Sequence, residues 1–435
     1  MREVDVLVIG AGAAGLLAAR TLARAGRTVA VLEARNRCGG RIHTFTDAGF
    51  SAPTEGGAEF LHGDVPLTRS LLAEAGRTSI PTTGSTYQVV QGETRESEDF
   101  IENLPELLEK LHALSEDITL ANFLSQHFGA EPYAPLREQV TRFAEGYDAA
   151  DATRASAFAL RDELSGGGFD DSPHPEGTYS ELIDQLATQL QQAGGQLYLE
   201  TPVQEIRWQP GQADVQTVDG RVFRAQQVVV TVPLGVWQTA ADSASYLHIT
   251  PDLPEHRAAA AQLGFGAVIK VLLEFKTVIW QQPSTDLTQP KPDLSFLFSD
   301  APFPTWWSQL PDPRPLLTGW LAGPAATRHQ HTPNEVVLTQ ALASLASLLG
   351  TSSAYLRSQL RAHRVINWAA DPYALGAYAY TAVGAAANRT TLATPVAQTL
   401  FVAGEGVYDG PYIGTVEAAL VSGAEVAQRV LESQK

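Results

Sequence analysis

Gly10, Gly12 and Gly15 form the run GAGAAG, with Ala14 inside it, and a carboxylate, Glu33, closes the next apolar stretch. In a dinucleotide-binding turn the first glycine makes the tight bend, the second lets a pyrophosphate approach the backbone, and the third lets helix pack on strand. The free N–H groups and the positive dipole end of the helix then face the phosphates. A carboxylate at Glu33 accepts hydrogen bonds from ribose hydroxyls and would repel a 2′-phosphate, so an ADP-containing cofactor is expected and an NADP-type ligand disfavoured. A second chemical signal is Lys270 in AVIKVLLEF. Strand alternation puts Val268, Lys270 and Leu272 on one face and Ile269, Val271 and Leu273 on the other. A lone ammonium among apolar neighbours is costly unless it is paired or poised for function, with Glu274 or solvent as the bland alternatives.

The elements that must hold these groups follow from the pattern. Residues 4–9 are β-branched or apolar nearly throughout, as in a strand buried on both faces of a parallel sheet. A helix from about Ala13 to Ala25 ends at Gly26, and TVAVLEA at 28–34 returns as a second parallel strand, completing a βαβ unit. From about 64 to 195 the apolar spacing is helical, interrupted by the loop SGGGFDDSPHPEG. Strand signals return in QLYLE, VQEIRW, VQTV and VFRAQQVVVTV, with Asp219-Gly220 as a hairpin turn. Residues 263–325 read as a second sheet with long loops through Trp306, Trp307 and Trp320. A last strand, TLFVAGEG, leads by a glycine turn to a helix from about Gly414 to Leu431.

Thirty basic against forty-eight acidic residues leave a formal charge of −18 in 435 residues. That balance disfavours nucleic acid and would attract a cationic substrate. Cys38 is the only cysteine, which excludes internal disulfides and cysteine-rich zinc sites, and the histidines form no HExxH, so no metal site is expected. The start, MREVDVLVIG, has no basic n-region and no cleavage site, and no run of about 18 apolar residues occurs, so the expectation is a cytoplasmic protein without a membrane partner. The oligomeric state is left open.

The run EARNRCGGRIHTF, with Arg37, Gly39, Gly40 and Arg41, resembles the second glycine turn of glutathione-reductase-like flavoproteins, specifically the flavin-containing amine oxidase family. That family includes monoamine oxidases, polyamine oxidases and flavin-dependent histone demethylases. The resemblance continues in GGAEFLHG at 56–63, VVVTVPLGVW at 228–237, INWAADPYALGAYAY at 366–380 and FVAGEGVYDGPYIGTVEAALVSG at 401–423. It implies an α/β fold: a glutathione-reductase-like FAD-binding Rossmann domain (1–75, 195–250 and 390–435) with an inserted mixed-sheet plus helical substrate domain (76–194 and 251–389). It further implies FAD contacts from Ala34 and Arg35, from Gly57, Ala58 and Glu59 in the first loop, from the backbone of Val203, and from Val232. Arg41 would pair with the pyrophosphate as a planar donor fork, and Glu405 after Gly404 would bind the ribityl or pyrophosphate portion. The helix starting near Thr415 and Val416 would aim its dipole at the flavin pyrimidine.

For the chemistry, the resemblance implies that Lys270 holds a water against flavin N5, that Tyr378 and Tyr412 form an aromatic cage, and that Trp368 closes the pocket. His62 in FLHG is similar to the histidine of polyamine oxidase loops, as a catalytic or substrate-binding group or as a structural hydrogen-bonder. Glu59 could bind a distal ammonium or cap a turn. Ala377 stands where covalently flavinylated relatives carry the linking cysteine, and Cys38 is misplaced for that bond, so the FAD is expected to be noncovalent. The implied activity is amine oxidation by transfer of a hydride equivalent to flavin N5, giving an imine and then an aldehyde. Molecular oxygen would be the acceptor, yielding hydrogen peroxide, and a polyamine such as spermidine or spermine the substrate. Two other enzymes of the family fit the same motifs, a monoamine oxidase and an L-amino-acid oxidase, the latter needing an arginine such as Arg69, Arg142 or Arg161 for the substrate carboxylate. A flavin-stabilised interaction protein is the alternative of another class.

Overall fold

The computed structural model describes residues 2–46, 49–96, 101–166, 172–281 and 288–433. Strand β1 (Arg2–Ile9), helix α1 (Ala13–Arg24) and strand β2 (Val29–Leu32) form the opening βαβ unit, with β1 and β2 parallel. The apolar run of β1 is explained by burial on both sides. Val6 and Val8 enter a core shared with α1 and the C-terminal helix Val416–Glu432, while Leu7 and Ile9 enter a second core on the opposite face.

The sheet around this unit runs His248–Thr250, Val203–Gln209, Gln212–Thr217, Val222–Val230, β1, β2, Gln196–Tyr198. The first half of Val222–Val230 pairs antiparallel with Gln212–Thr217, as the Asp219-Gly220 turn predicts, and its second half pairs parallel with Leu400–Val402. The chain therefore returns to the first sheet with its last strand, immediately before the Gly404 turn. Helix Tyr179–Gln192 also packs on α1, through Leu182, Leu186 and Leu190.

The second sheet runs Leu360–Asn367, Val268–Phe275, Leu316–Ala322, Thr305–Trp307, Leu294–Ser299, Ser85–Val90, Glu93–Glu96. Its last two strands lie in the stretch expected to be helical. Ser85–Val90 alternates, with Tyr87 and Val89 buried, and Gln91 (φ 53°) and Gly92 (φ 81°) supply the paired positive angles of a tight hairpin. Six alternating residues between amphipathic helices carry too little periodic signal to stand out. The helices Leu104–His112, Leu120–Phe128, Ala134–Gly146 and Ala157–Gly166 build a separate core around Leu107, Phe123, Val140 and Leu160. Part of the loop SGGGFDDSPHPEG, residues 167–171, lies outside the described residues. Among the described residues no single helix is long and apolar enough to cross a membrane.

Candidate active site

One cavity of about 2310 Å³ runs between the two sheets and the helical core, from Gly12, Glu33 and Val203 to Lys270, Trp368 and Tyr378, and on to Asp148 and Glu163. Every site residue expected from the sequence lines it except Gly15, which has a different task. A side chain at Gly15 would put its Cβ 2.0 Å from the Gly10 carbonyl oxygen, so the third glycine brings α1 onto the strand end. A Cβ at Gly12 would meet only the Gly39 carbonyl at 3.9 Å, and one at Gly404 nothing within 4 Å, so both positions open onto the cavity.

At this end, α1 starts at Gly12 without any side-chain cap, which leaves the first-turn N–H groups free to meet a phosphate. Glu33 accepts from Ala11 N at 2.8 Å and Arg35 N at 2.9 Å, which fixes the carboxylate between the two glycine turns. Arg35 is pulled to Asp371 at 2.5 Å and lies over Tyr373. Arg37 turns inward and donates to the carbonyls of Cys38, Gly40 and Ile42, thereby holding the second glycine turn closed. Cys38 is outside the cavity lining, and burial pushes its thiol up to about 12. Arg41 and Glu405, both expected to reach a cofactor, also meet each other at 2.6 Å, and Glu405 accepts from Ala379 N. The C-terminal helix is capped at Thr415, whose side chain accepts from Ala418 N, and its first turn lines the cavity.

The other end of the cavity is built around Lys270. It is 1 % exposed, in a strand buried at every position. Its ammonium donates to Glu59 Oε2 at 2.5 Å and to the Gly57 carbonyl at 3.2 Å. The bland partner Glu274 is engaged elsewhere, accepting from Ser51 N and lying 3.5 Å from Arg361. Glu59 caps no turn: its Oε1 accepts from Trp307 Nε1 and Gln309 Nε2, each at 2.9 Å. Burial alone would raise the Glu59 carboxyl, but Lys270, His174 and these donors outweigh it and hold it lowered.

Trp368 is buried and donates to the Gly56 carbonyl at 3.2 Å. Tyr378 donates to the Tyr147 carbonyl at 2.6 Å and stacks on Trp320 at 6.5 Å between centroids. Burial, then Asp148, Tyr147 and Glu163, push its phenol well above the ordinary value, so it stays a neutral donor. Tyr412 packs its ring edge against Gly63, where a Cβ would come within 2.7 Å of it. The His62 ring nitrogen Nδ1 lies 3.1 Å from Tyr147 Oη and 3.2 Å from Ser172 Oγ, and burial lowers its pKa to about 4. The imidazole is therefore neutral and tied to the wall of the cavity.

Several side chains that contact these groups or line the cavity lie outside the sequence motifs: Trp307, Gln309, Tyr147, Ser172 and the pair Asp148 and Glu163. Asp148 and Glu163 hydrogen-bond each other in the cavity wall. Burial raises Asp148 to about 7, and burial together with Asp148 holds Glu163 well above the carboxylate range. The tryptophan-rich stretch was a signal for Trp307; nothing in residues 148 and 163 announces a pair.

The family description "flavin containing amine oxidoreductase" matches residues 13–431. The chain belongs to this family. It is 29% identical over 511 residues to lysine-specific histone demethylase 1 homolog 3 of Arabidopsis thaliana, covering 99% of this chain and 30% of that protein. It is 26% identical over 462 residues to polyamine oxidase 4 of Oryza sativa subsp. japonica, covering 98% and 89% respectively. The chain thus spans about a third of the length of the demethylase homolog and nearly all of the polyamine oxidase. Among solved structures, putrescine oxidase bound to putrescine superposes with a TM-score of 0.80 at 21% identity over 99% of both chains. Cyclohexylamine oxidase from Brevibacterium oxydans superposes with a TM-score of 0.78 at 21% identity over 99% of both chains. These two establish the fold.

The cofactor of the family is FAD, and this cavity fits it. The glycine positions that open onto space, the uncapped start of α1 and the anchored carboxylate of Glu33 suit the ADP half. Ala377 lines the cavity, so noncovalent binding is the arrangement these residues support.

Proposed function

We propose that the protein is a polyamine oxidase, acting on spermidine, spermine or a similar amine at a carbon next to nitrogen and yielding an imine that water hydrolyses to an aldehyde. FAD, when bound, supplies the acceptor for the hydride equivalent, and oxygen then takes the electrons to give hydrogen peroxide. In this reading residues 1–75, 195–250 and 390–435 hold the cofactor and the remainder shapes the substrate space.

The observation that carries the polyamine reading is the Asp148–Glu163 pair. Two carboxyls share a hydrogen bond in the wall of the reaction cavity, and neither has a cationic partner among the described residues. Like-charged neighbours retain a proton until a cation replaces it. A second ammonium group, distant from the reacting nitrogen, is such a cation. Backbone continuity puts this pair beside the cage, because Asp148 follows Tyr147, whose carbonyl accepts from Tyr378.

The residues at the reacting end bind and orient rather than take protons. Tyr378 and His62 are neutral, and the Lys270 ammonium is neutralised by Glu59. An amine entering this aromatic, partly dry space loses its proton more readily than in water, which readies its neutral form. Of the arginines an amino-acid oxidase would need, Arg69 is bonded to Ser79 and Arg161 is held by Asp162 and Phe158, both outside the cavity lining, while Arg142, paired with Glu138, lies in that lining. Anaerobic titration of the purified holoprotein with spermidine, a simple monoamine and an amino acid, following the flavin absorption band, tests the reading. Bleaching by spermidine at far lower concentration than by the others supports it; bleaching by the monoamine alone retires the polyamine, and no bleaching retires amine oxidation.

A further inference from the structure

Lys270 and Glu59 are 211 residues apart and together form a buried ionic pair with a fixed number of contacts. An ammonium has three N–H donors. Among the described residues two are used, on Glu59 Oε2 and on the Gly57 carbonyl, and Lys270 lines the cavity, so the third is left for it. Glu59, 5 % exposed, is itself immobilised. Trp307 and Gln309 hold its other oxygen, the His174 ring donates to its backbone carbonyl, and the Trp307 ring lies 5.5 Å from the Lys270 nitrogen. These contacts satisfy the carboxylate's remaining lone pairs, as a buried ion pair requires, and they also leave Glu59 no freedom to move.

We propose that Glu59 is a positioning residue: it fixes the Lys270 ammonium in one place and one charge state, so that a single N–H is presented to the flavin-containing cavity. The inference rests on the cavity holding FAD and is independent of which amine is oxidised. Taking away the carboxylate's charge leaves a buried cation without a counter-charge, and burial favours the neutral amine.

The test compares the holoprotein with Glu59→Gln, Lys270→Met and the double variant, recording the absorption spectrum of the oxidised flavin, without substrate, between about pH 5 and pH 9, a range that includes the values of about 5–6 documented for buried lysines. The other titratable groups packed here are Glu55, which burial raises to about 7, and His174, lowered by burial. Both remain in all variants and serve as background. Glu59→Gln is expected to show a new titration of the flavin band that disappears in the double variant, whereas the unaltered protein and Lys270→Met show only the background. A spectrum in Glu59→Gln no different from the unaltered protein, or a new titration that survives in the double variant, overturns the proposal. Should Glu59→Gln not fold, Glu59→Asp keeps the charge but shortens its reach, so the flavin band should be displaced with no new titration; an undisplaced band, or a new titration, overturns the proposal. A preparation with no flavin band at all would instead count against the cofactor assignment.

Discussion

Arg41 Nη1 lies 2.6 Å from Glu405 Oε1 and equally close to the Ala377 carbonyl, tying the second glycine turn to the C-terminal motif across 364 residues. The pair joins the two ends of the chain at the wall of one cavity, and Glu405 also accepts from Ala379 N. The two residues that the sequence assigned separately to a cofactor are therefore one unit.

Glu405→Ala is expected to free Arg41 and to leave Ala379 N unsatisfied. Losing a charge-assisted hydrogen bond in a buried site costs about 2 kcal/mol, roughly 30-fold in an equilibrium constant. Equilibrium dialysis of FAD should show a weakening of about that size, and unchanged affinity would mean that the pair does not shape the cofactor site.

Glu163→Gln and Asp148→Asn should each raise KM for spermidine by about 10-fold, the worth of one charged contact, while leaving KM for a monoamine of similar length unchanged. Steady-state kinetics with both substrates decides this. An equal effect on both amines would assign the pair to structure.

Stability should depend on pH in opposite senses at the two groups beside Tyr147. Asp148, with a folded pKa raised to about 7, binds a proton that the unfolded chain has released, so its contribution is complete below about pH 4 and is lost as pH rises through 7. His62, lowered to about 4, contributes above its ordinary 6.5, and that contribution is lost as pH falls toward 4. Between about pH 4 and pH 6.5 the two slopes oppose each other, so the net fall of the thermal midpoint is expected between about pH 6.5 and pH 7.5, and Asp148→Asn should flatten it. His62→Gln should flatten the acid side only.

Gly57→Ala should be among the most damaging single-methyl additions in the chain. Its Cβ would sit 1.7 Å from the Arg41 carbonyl oxygen, which is backbone and cannot step aside. Overpacking of this kind costs roughly 1–3 kcal/mol, and here it would also displace the Gly57 carbonyl from Lys270. A thermal midpoint equal to that of the unaltered protein would contradict the geometry.

The opening βαβ unit was legible because its information is local. An apolar run, a glycine turn at fixed spacing and a helical period all lie within about thirty residues, and the structure reproduces α1 as Ala13–Arg24. The alternation around Lys270 was legible for the same reason. The hairpin Ser85–Val90 and Glu93–Glu96 was missed because strands this short are stabilised by the sheet they join.

By itself the amino-acid sequence determined the glycine turns, the buried strand carrying a lysine, the acidic balance and the family resemblance, all properties of neighbouring residues or of composition. Tertiary structure alone decided what each charge meets: Glu59 for Lys270, Glu405 for Arg41, and Glu163 for Asp148. The physical reason is that a buried ionic group is stable only with a partner in hydrogen-bond reach. Which partner that is depends on how two sheets and a helical core close around a cavity, and strand periodicity records the face of a residue without recording what lies opposite it.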